Sequence, residues 1–149
     1  MERSVMRNNI DKFDILIGKI LAKLYAEFPI KCELVPEDFG IKDTRPEFLD
    51  TPDGTMGDMK ELEFLEATVT WLMENEIITA KKSGFGVYYD ARLTMKGLRL
   101  LKVVPKSVDN ERKSIGESLK ELSRAGANES LKIAVNALFS YGLSRMELA

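Results

Sequence analysis

Histidine does not occur in the 149 residues, and cysteine occurs once, at Cys32. The first absence removes imidazole from acid–base catalysis, from the usual nucleophilic triads and from metal ligation. The second excludes an internal disulfide and a cysteine-built zinc site. A lone cysteine here reads as a small buried apolar residue rather than a reactive thiol. No run is long and apolar enough to span a bilayer. The opening MERSVMRNN is charged and lacks an apolar core of signal-peptide length, so a cytoplasmic location is the expectation. Also missing are a phosphate-binding glycine loop, a nucleophile elbow, paired cysteines and a histidine metal motif. No catalytic residue, cofactor or metal is therefore expected. Asp50-x-x-Asp53 and Glu61-x-Glu63 are the nearest approach to a carboxylate site, and solvated acids explain them more simply.

What is present is ordinary in bulk and specific in one place. Hydrophobic residues make up 44% and charged residues 31%, with a net charge of −2, the profile of a soluble domain with no overall pull toward nucleic acid. The specific place is Ile77–Val104. Ile77, Ile78 and Thr79 are β-branched, and Val87, Tyr88 and Tyr89 favour a pleated surface. Ser83-Gly84-Phe85-Gly86 between them supplies glycines for a short hairpin connection. Val87, Tyr89, Ala91 and Leu93 alternate with Tyr88, Asp90 and Arg92, which predicts that the first set faces inward. Thr94 then stands where a hydroxyl caps a helix opening at Met95. Leu98, Leu100 and Leu101 give that helix an inner face, Gly97 permits a close backbone approach, and Pro105 stops it.

Tyr89-x-x-x-Leu93-Thr94-x-Lys96-Gly97-x-x-x-Leu101 resembles the wing-to-helix junction of winged-helix regulators of the PadR and MarR types. The resemblance covers the wing and the next helix, with a compatible helix order upstream. It implies a mainly α (α+β) winged helix with a small antiparallel β-wing, followed by C-terminal helices. Winged helices also serve as protein-docking modules, so the resemblance speaks for fold more than for activity.

In chain order, residues 1–8 form a mildly basic arm and residues 9–106 the winged-helix domain. Asn9 is placed to cap a first helix whose Ile10, Phe13, Ile17, Ile20, Leu21, Leu24 and Phe28 recur at helical spacing, with Pro29 ending it. Ile30–Val35 fits a short strand joining the hairpin. Thr44-Arg45-Pro46-Glu47 looks like a capping box for a short second helix. Thr51–Gly57 reads as a loop, and Asp58-Met59-Lys60-Glu61 as the cap of a third helix to about Asn75, with Leu62, Leu65, Val69 and Leu72 inward. Residues 107–149 form a helical extension. Asp109 or Asn110 can cap a helix of about Glu111–Arg124, and Asn128 a last one over Glu129–Tyr141 closed by Gly142. The last helix is apolar nearly all round and must be covered. It either folds back or packs on a second copy; a homodimer through Leu131, Val135, Leu138 and Phe139 is the favoured expectation. Membrane contact is disfavoured, because Lys132 and Arg145 are too few cations for a lipid-facing stripe.

Charge is divided along the chain. Glu33–Glu76 holds thirteen acids and three bases, a net −10, while Lys81–Lys106 holds seven bases and one acid, a net +6. The third helix, which enters the major groove in winged-helix DNA binders, offers Lys60 against Glu61, Glu63, Glu66 and Glu74. The basic wing, with Lys81, Lys82, Arg92, Lys96 and Arg99 interleaved with aromatics, is the part suited to phosphates. Two readings follow: a DNA-binding transcriptional regulator that grips duplex DNA with its wing, and a protein-interaction module, inhibitor or adaptor, that offers the acidic 33–76 face to a basic protein partner.

Overall fold

A computed structural model of the protein describes residues 8–41, 55–105 and 113–142. The fold is mainly helical with one small antiparallel sheet. Helix α1 (Asn9–Glu27) leads to strand β1 (Cys32–Leu34) and a 3-10 turn (Pro36–Phe39). Helix α2 (Thr55–Glu74) is followed by the hairpin strands β2 (Ile78–Gly84) and β3 (Val87–Leu93) and by helix α3 (Met95–Lys102). Helices α4 (Ile115–Ala125) and α5 (Asn128–Ala137) and a wide π turn (Leu138–Gly142) complete it. The sheet order is β1-β3-β2. The short helix expected around Thr44–Leu49, the caps expected at Asp109 or Asn110 and the arm over residues 1–7 lie outside the described residues.

The inner stripe expected of the helix before the hairpin is observed: Leu62, Leu65, Val69 and Leu72 are all buried. Its start is earlier than expected, since Thr55–Gly57 is already helical and Asp58 lies inside α2 rather than capping it. The first helix is capped by Asn8, not Asn9: the Asn8 side chain accepts from the Asp11 amide at 2.8 Å. Ile10, expected on the inner stripe, lies in the first turn at the edge of the core and is 59% exposed. Helix α2 ends with Glu76 at φ 61 and the Ile77 amide donating back to Leu72 O, the left-handed helix ending that glycine usually supplies.

The hairpin departs from simple alternation. Thr79 lies opposite Arg92, but Lys81 lies opposite Tyr89, so β3 carries one extra residue between them. That residue is Asp90, at φ 55, a bulge in the left-handed region that aspartate tolerates better than most. A bulge shifts the pleat by one position. Tyr88, Ala91 and Leu93 therefore face inward and are buried, whereas Tyr89 is exposed, the reverse of the order expected for the two tyrosines. The turn itself is Phe85-Gly86. Gly86 has φ 71, and a Cβ there would press on Leu62 of α2, so both backbone and space demand glycine.

One continuous core runs from α1 through the sheet to the last turns. The C-terminal pair packs back on α1 and on each other. Leu131, Val135 and Leu138 are fully buried within this chain, and Phe139 is half-buried and meets the Trp71 ring edge-on at 6.0 Å. The interface expected of these four residues with a second copy is therefore corrected: three of them have no surface left to offer. Helix α4 begins at Ile115 behind a Ser114 cap, which accepts from the Glu117 amide at 3.1 Å. Asn128 is the first residue of α5; Ala127 stands at the cap position with no side-chain bond.

Asp14 is a buried carboxyl at the edge of this core. Burial raises its pKa, the neighbouring Asp11 raises it further, and Lys132 offsets part of the rise. Lys132 is itself shared with Asp11 at 3.5 Å and Glu129 at 3.2 Å. A folded-state pKa above the unfolded value means that the folded chain holds its proton more tightly, so stability falls as pH rises through that interval. Asp14→Asn is thus expected to raise the urea midpoint near neutral pH, with the advantage shrinking to nothing below the ordinary aspartate range. Urea melts across pH 3–8 (roughly the useful window) check this; a variant less stable than wild type at neutral pH would contradict it.

Candidate nucleic-acid interface

The sheet register decides which basic side chains can act together. Thr79, Lys81, Tyr89 and Arg92 pair across β2 and β3 and share the outer face. Lys81 is the more open: its ammonium sits 3.7 Å from Asp90 and 6.0 Å from the centre of the Tyr89 ring, with 66% of the side chain exposed. Arg92 reaches across β1 toward the preceding loop and donates to Pro29 O at 3.5 Å. Arg99 is exposed and Lys96 half-exposed on α3, which follows β3 directly.

Lys82 does not belong to this group. Successive strand residues point to opposite faces, and Lys82 pairs in register with buried Tyr88. Its ammonium turns to α2 and lies 3.2 Å from Glu66. The other oxygen of the same carboxylate accepts the Gly86 amide at 2.6 Å. Glu66 thus pins the hairpin tip to α2, and Lys82, although 56% exposed, is engaged on that side of the sheet rather than on the face shared by Lys81 and Arg92. The adjacency of Lys81 and Lys82 already carried this signal, because a strand cannot present two neighbours on one side. Glu66 itself had no distinguishing mark among the acids of the segment.

Behind the Glu66 contact, the Tyr88 hydroxyl is buried and, among the described residues, has no partner that meets full hydrogen-bond geometry. Burial and the charge of Glu66 raise its pKa, partly offset by Thr70, which lies near without completing a good bond. The base of the hairpin is better satisfied. Thr94 Oγ1 accepts the Gly97 amide at 3.0 Å and donates toward Glu76 O and Ile77 O, at 2.6 and 3.1 Å. The Thr94 amide also donates to Ile77 O at 3.0 Å.

The acidic segment is partly neutralised from elsewhere in the fold. Lys12 pairs with Glu61 at 3.0 Å and Lys23 with Asp38 at 2.6 Å. Glu63 and Glu74 remain exposed on α2, beside an apolar groove between α1 and α2 of about 370 Å³ lined by Ile10, Phe13, Phe64, Ala67 and Trp71. The outer side of α2 is therefore acidic and aromatic, and a basic surface lies on the hairpin and α3. Cys32 is half-buried, and burial raises its thiol pKa, with Lys23 opposing; this keeps it a thiol near neutral pH. Among the described residues, no three Cys, Asp or Glu side chains converge to hold a metal ion, and no helix is long and apolar enough to cross a membrane.

No protein-family model, curated protein or solved structure matches this chain.

Proposed function

We propose that the protein is a non-enzymatic winged-helix binding protein that contacts duplex DNA through the outer face of its hairpin and through α3. The order helix, strand, helix, hairpin, with β1 beside β3, supports the winged-helix reading. The observation that carries the DNA reading is the shared face of Lys81, Tyr89 and Arg92, continued along the chain by Lys96 and Arg99. Such a face suits the phosphate backbone, which supplies most sequence-independent affinity. Helix α2, with Glu63 and Glu74 outward, is unsuited to the major groove, so the approach is led by the wing.

Binding of a short generic duplex, followed by fluorescence anisotropy across a salt series, tests this. Affinity is expected to fall steeply with salt. Lys81→Ala/Arg92→Ala and Lys96→Ala/Arg99→Ala are each expected to flatten the log–log slope by roughly 0.9 for every phosphate that the variant no longer neutralises. Lys82→Ala, already committed to Glu66, is expected to change it less. Absence of binding at low salt, or a Lys82 effect larger than the Lys81/Arg92 effect, would overturn the assignment.

A second reading has its own support. The groove bearing Phe13, Phe64 and Trp71 has an aromatic lining, and exposed Glu63 and Glu74 on the same helix supply negative charge, a combination that suits a basic amphipathic helix of a partner protein. In that case Trp71→Ala abolishes partner binding while the hairpin variants leave it unchanged.

A further inference from the structure

A second basic cluster lies away from the hairpin. Helix α1 carries Lys19 and Lys23, and α4 carries Lys120 and Arg124, each pair four residues apart on one helix face. The fold turns these faces toward one another across a cleft of about 450 Å³, whose lining includes Ala22, Ala26 and Phe39 as well as Ser123 and the four cations. Among the described residues, Asp38 is the one carboxylate in that lining, and it is engaged by Lys23 at 2.6 Å. Lys120 approaches Glu117 loosely, at 3.7 Å, and Glu121 is drawn to Lys113 at 2.7 Å. The Lys23 and Lys120 side chains are recessed, only 30% and 28% exposed.

Like charges four residues apart on a helix repel one another, and two such pairs facing each other across a concavity compound the cost. Asp38 in the lining offsets part of it, and Glu117 and Glu121 on α4 offset more through Lys120 and Arg124. The remainder is a positive potential focused by the low-dielectric walls of a cleft whose volume is within the range of small-molecule sites. Its lining is amphipathic, with Ala22, Ala26 and half-buried Phe39 supplying apolar surface and the ammonium, guanidinium and Ser123 hydroxyl groups supplying donors.

We infer that this cleft binds a small phosphorylated organic molecule, the phosphates held by Lys19, Lys120 and Arg124 and the organic part resting on Phe39 and the alanines. The site is separate from the hairpin, and the inference does not depend on the DNA reading.

The test uses the full chain and three probes at low ionic strength: ATP, pyrophosphate and adenosine. Calorimetry is expected to show binding of ATP and pyrophosphate and much weaker binding of adenosine. Amide NMR shifts on the wild-type protein are expected at Lys19, Lys23, Gly40, Ser123 and Gly126, a readout independent of how any variant folds. Lys19→Ala/Arg124→Ala, checked for native circular dichroism, is expected to weaken both anions at least about tenfold, the loss typical of a charge-assisted bond or more. Lys81→Ala/Arg92→Ala is expected to leave them unchanged. No anion binding, shifts confined to the hairpin, adenosine binding as tight as ATP, or displacement of bound ATP by duplex DNA would each overturn the inference.

Discussion

Gly97→Ala is expected to cost about 3 kcal/mol of stability, the upper part of the range for overpacking at a site that cannot relax. The sign is informative, because alanine in place of glycine inside an ordinary helix is worth about 1 kcal/mol in the opposite direction. Here a Cβ at position 97 would run into the carbonyl oxygen of Ile77, and behind it the carbonyl carbon and the Ile77 side chain. The obstacle is main chain. It is also fixed from the other side, since the Ile77 carbonyl accepts both the amide and the hydroxyl of Thr94. Relief would require lifting α3 off the hairpin base, at the expense of buried Leu100 and Leu101. Urea unfolding of the two proteins measures the difference, and a more stable Gly97→Ala protein would refute this packing.

Leu131→Ala is the second large effect, expected to cost about 3 kcal/mol, as removal of a fully buried leucine side chain does. Leu131 is wholly enclosed by its own chain, with Gly18 of α1 beneath it: a Cβ on Gly18 would lie 2.7 Å from Leu131 Cγ. The loss is therefore expected to be the same at low and high protein concentration. An intersubunit leucine would give a melting temperature that climbs with concentration. Gly18→Ala is also expected to destabilise, but to be partly tolerated on the Leu131→Ala background, because the added methyl then enters the vacated space. Four urea curves close this cycle, and strict additivity would show that the two positions are energetically independent.

What could be read from the chain was local. The stripe of Leu62, Leu65, Val69 and Leu72, the Thr94 cap and the hairpin all rest on neighbours within a few residues, and all are observed. Adjacent Asn8 and Asn9 are equivalent as caps by type, so only the helix phase separates them. The bulge at Asp90 is a relation between strands: β3 alone gives no sign that it carries one residue more than its neighbours need. That extra residue exchanges the faces of Tyr88 and Tyr89. The last helix was legibly apolar, but composition alone could not say whether α1 or another molecule would cover Leu131 and Val135. The division of Lys81 from Lys82 was available from the two-residue strand period. The meeting of Lys19 and Lys23 with Lys120 and Arg124 needed the fold, since about a hundred residues separate the pairs.

The Ile77 carbonyl has a mechanical consequence. A single oxygen bonds to the amide and hydroxyl of Thr94 and abuts Gly97, so the ribbon cannot swivel at its root without dragging α3 with it. From α3 the linkage continues through the Val103 carbonyl, which receives the Ile115 amide at 2.8 Å. The root of the ribbon, the first turn of α3 and, through Val103, the start of α4 are thus tied to one another by main-chain bonds rather than by side chains alone.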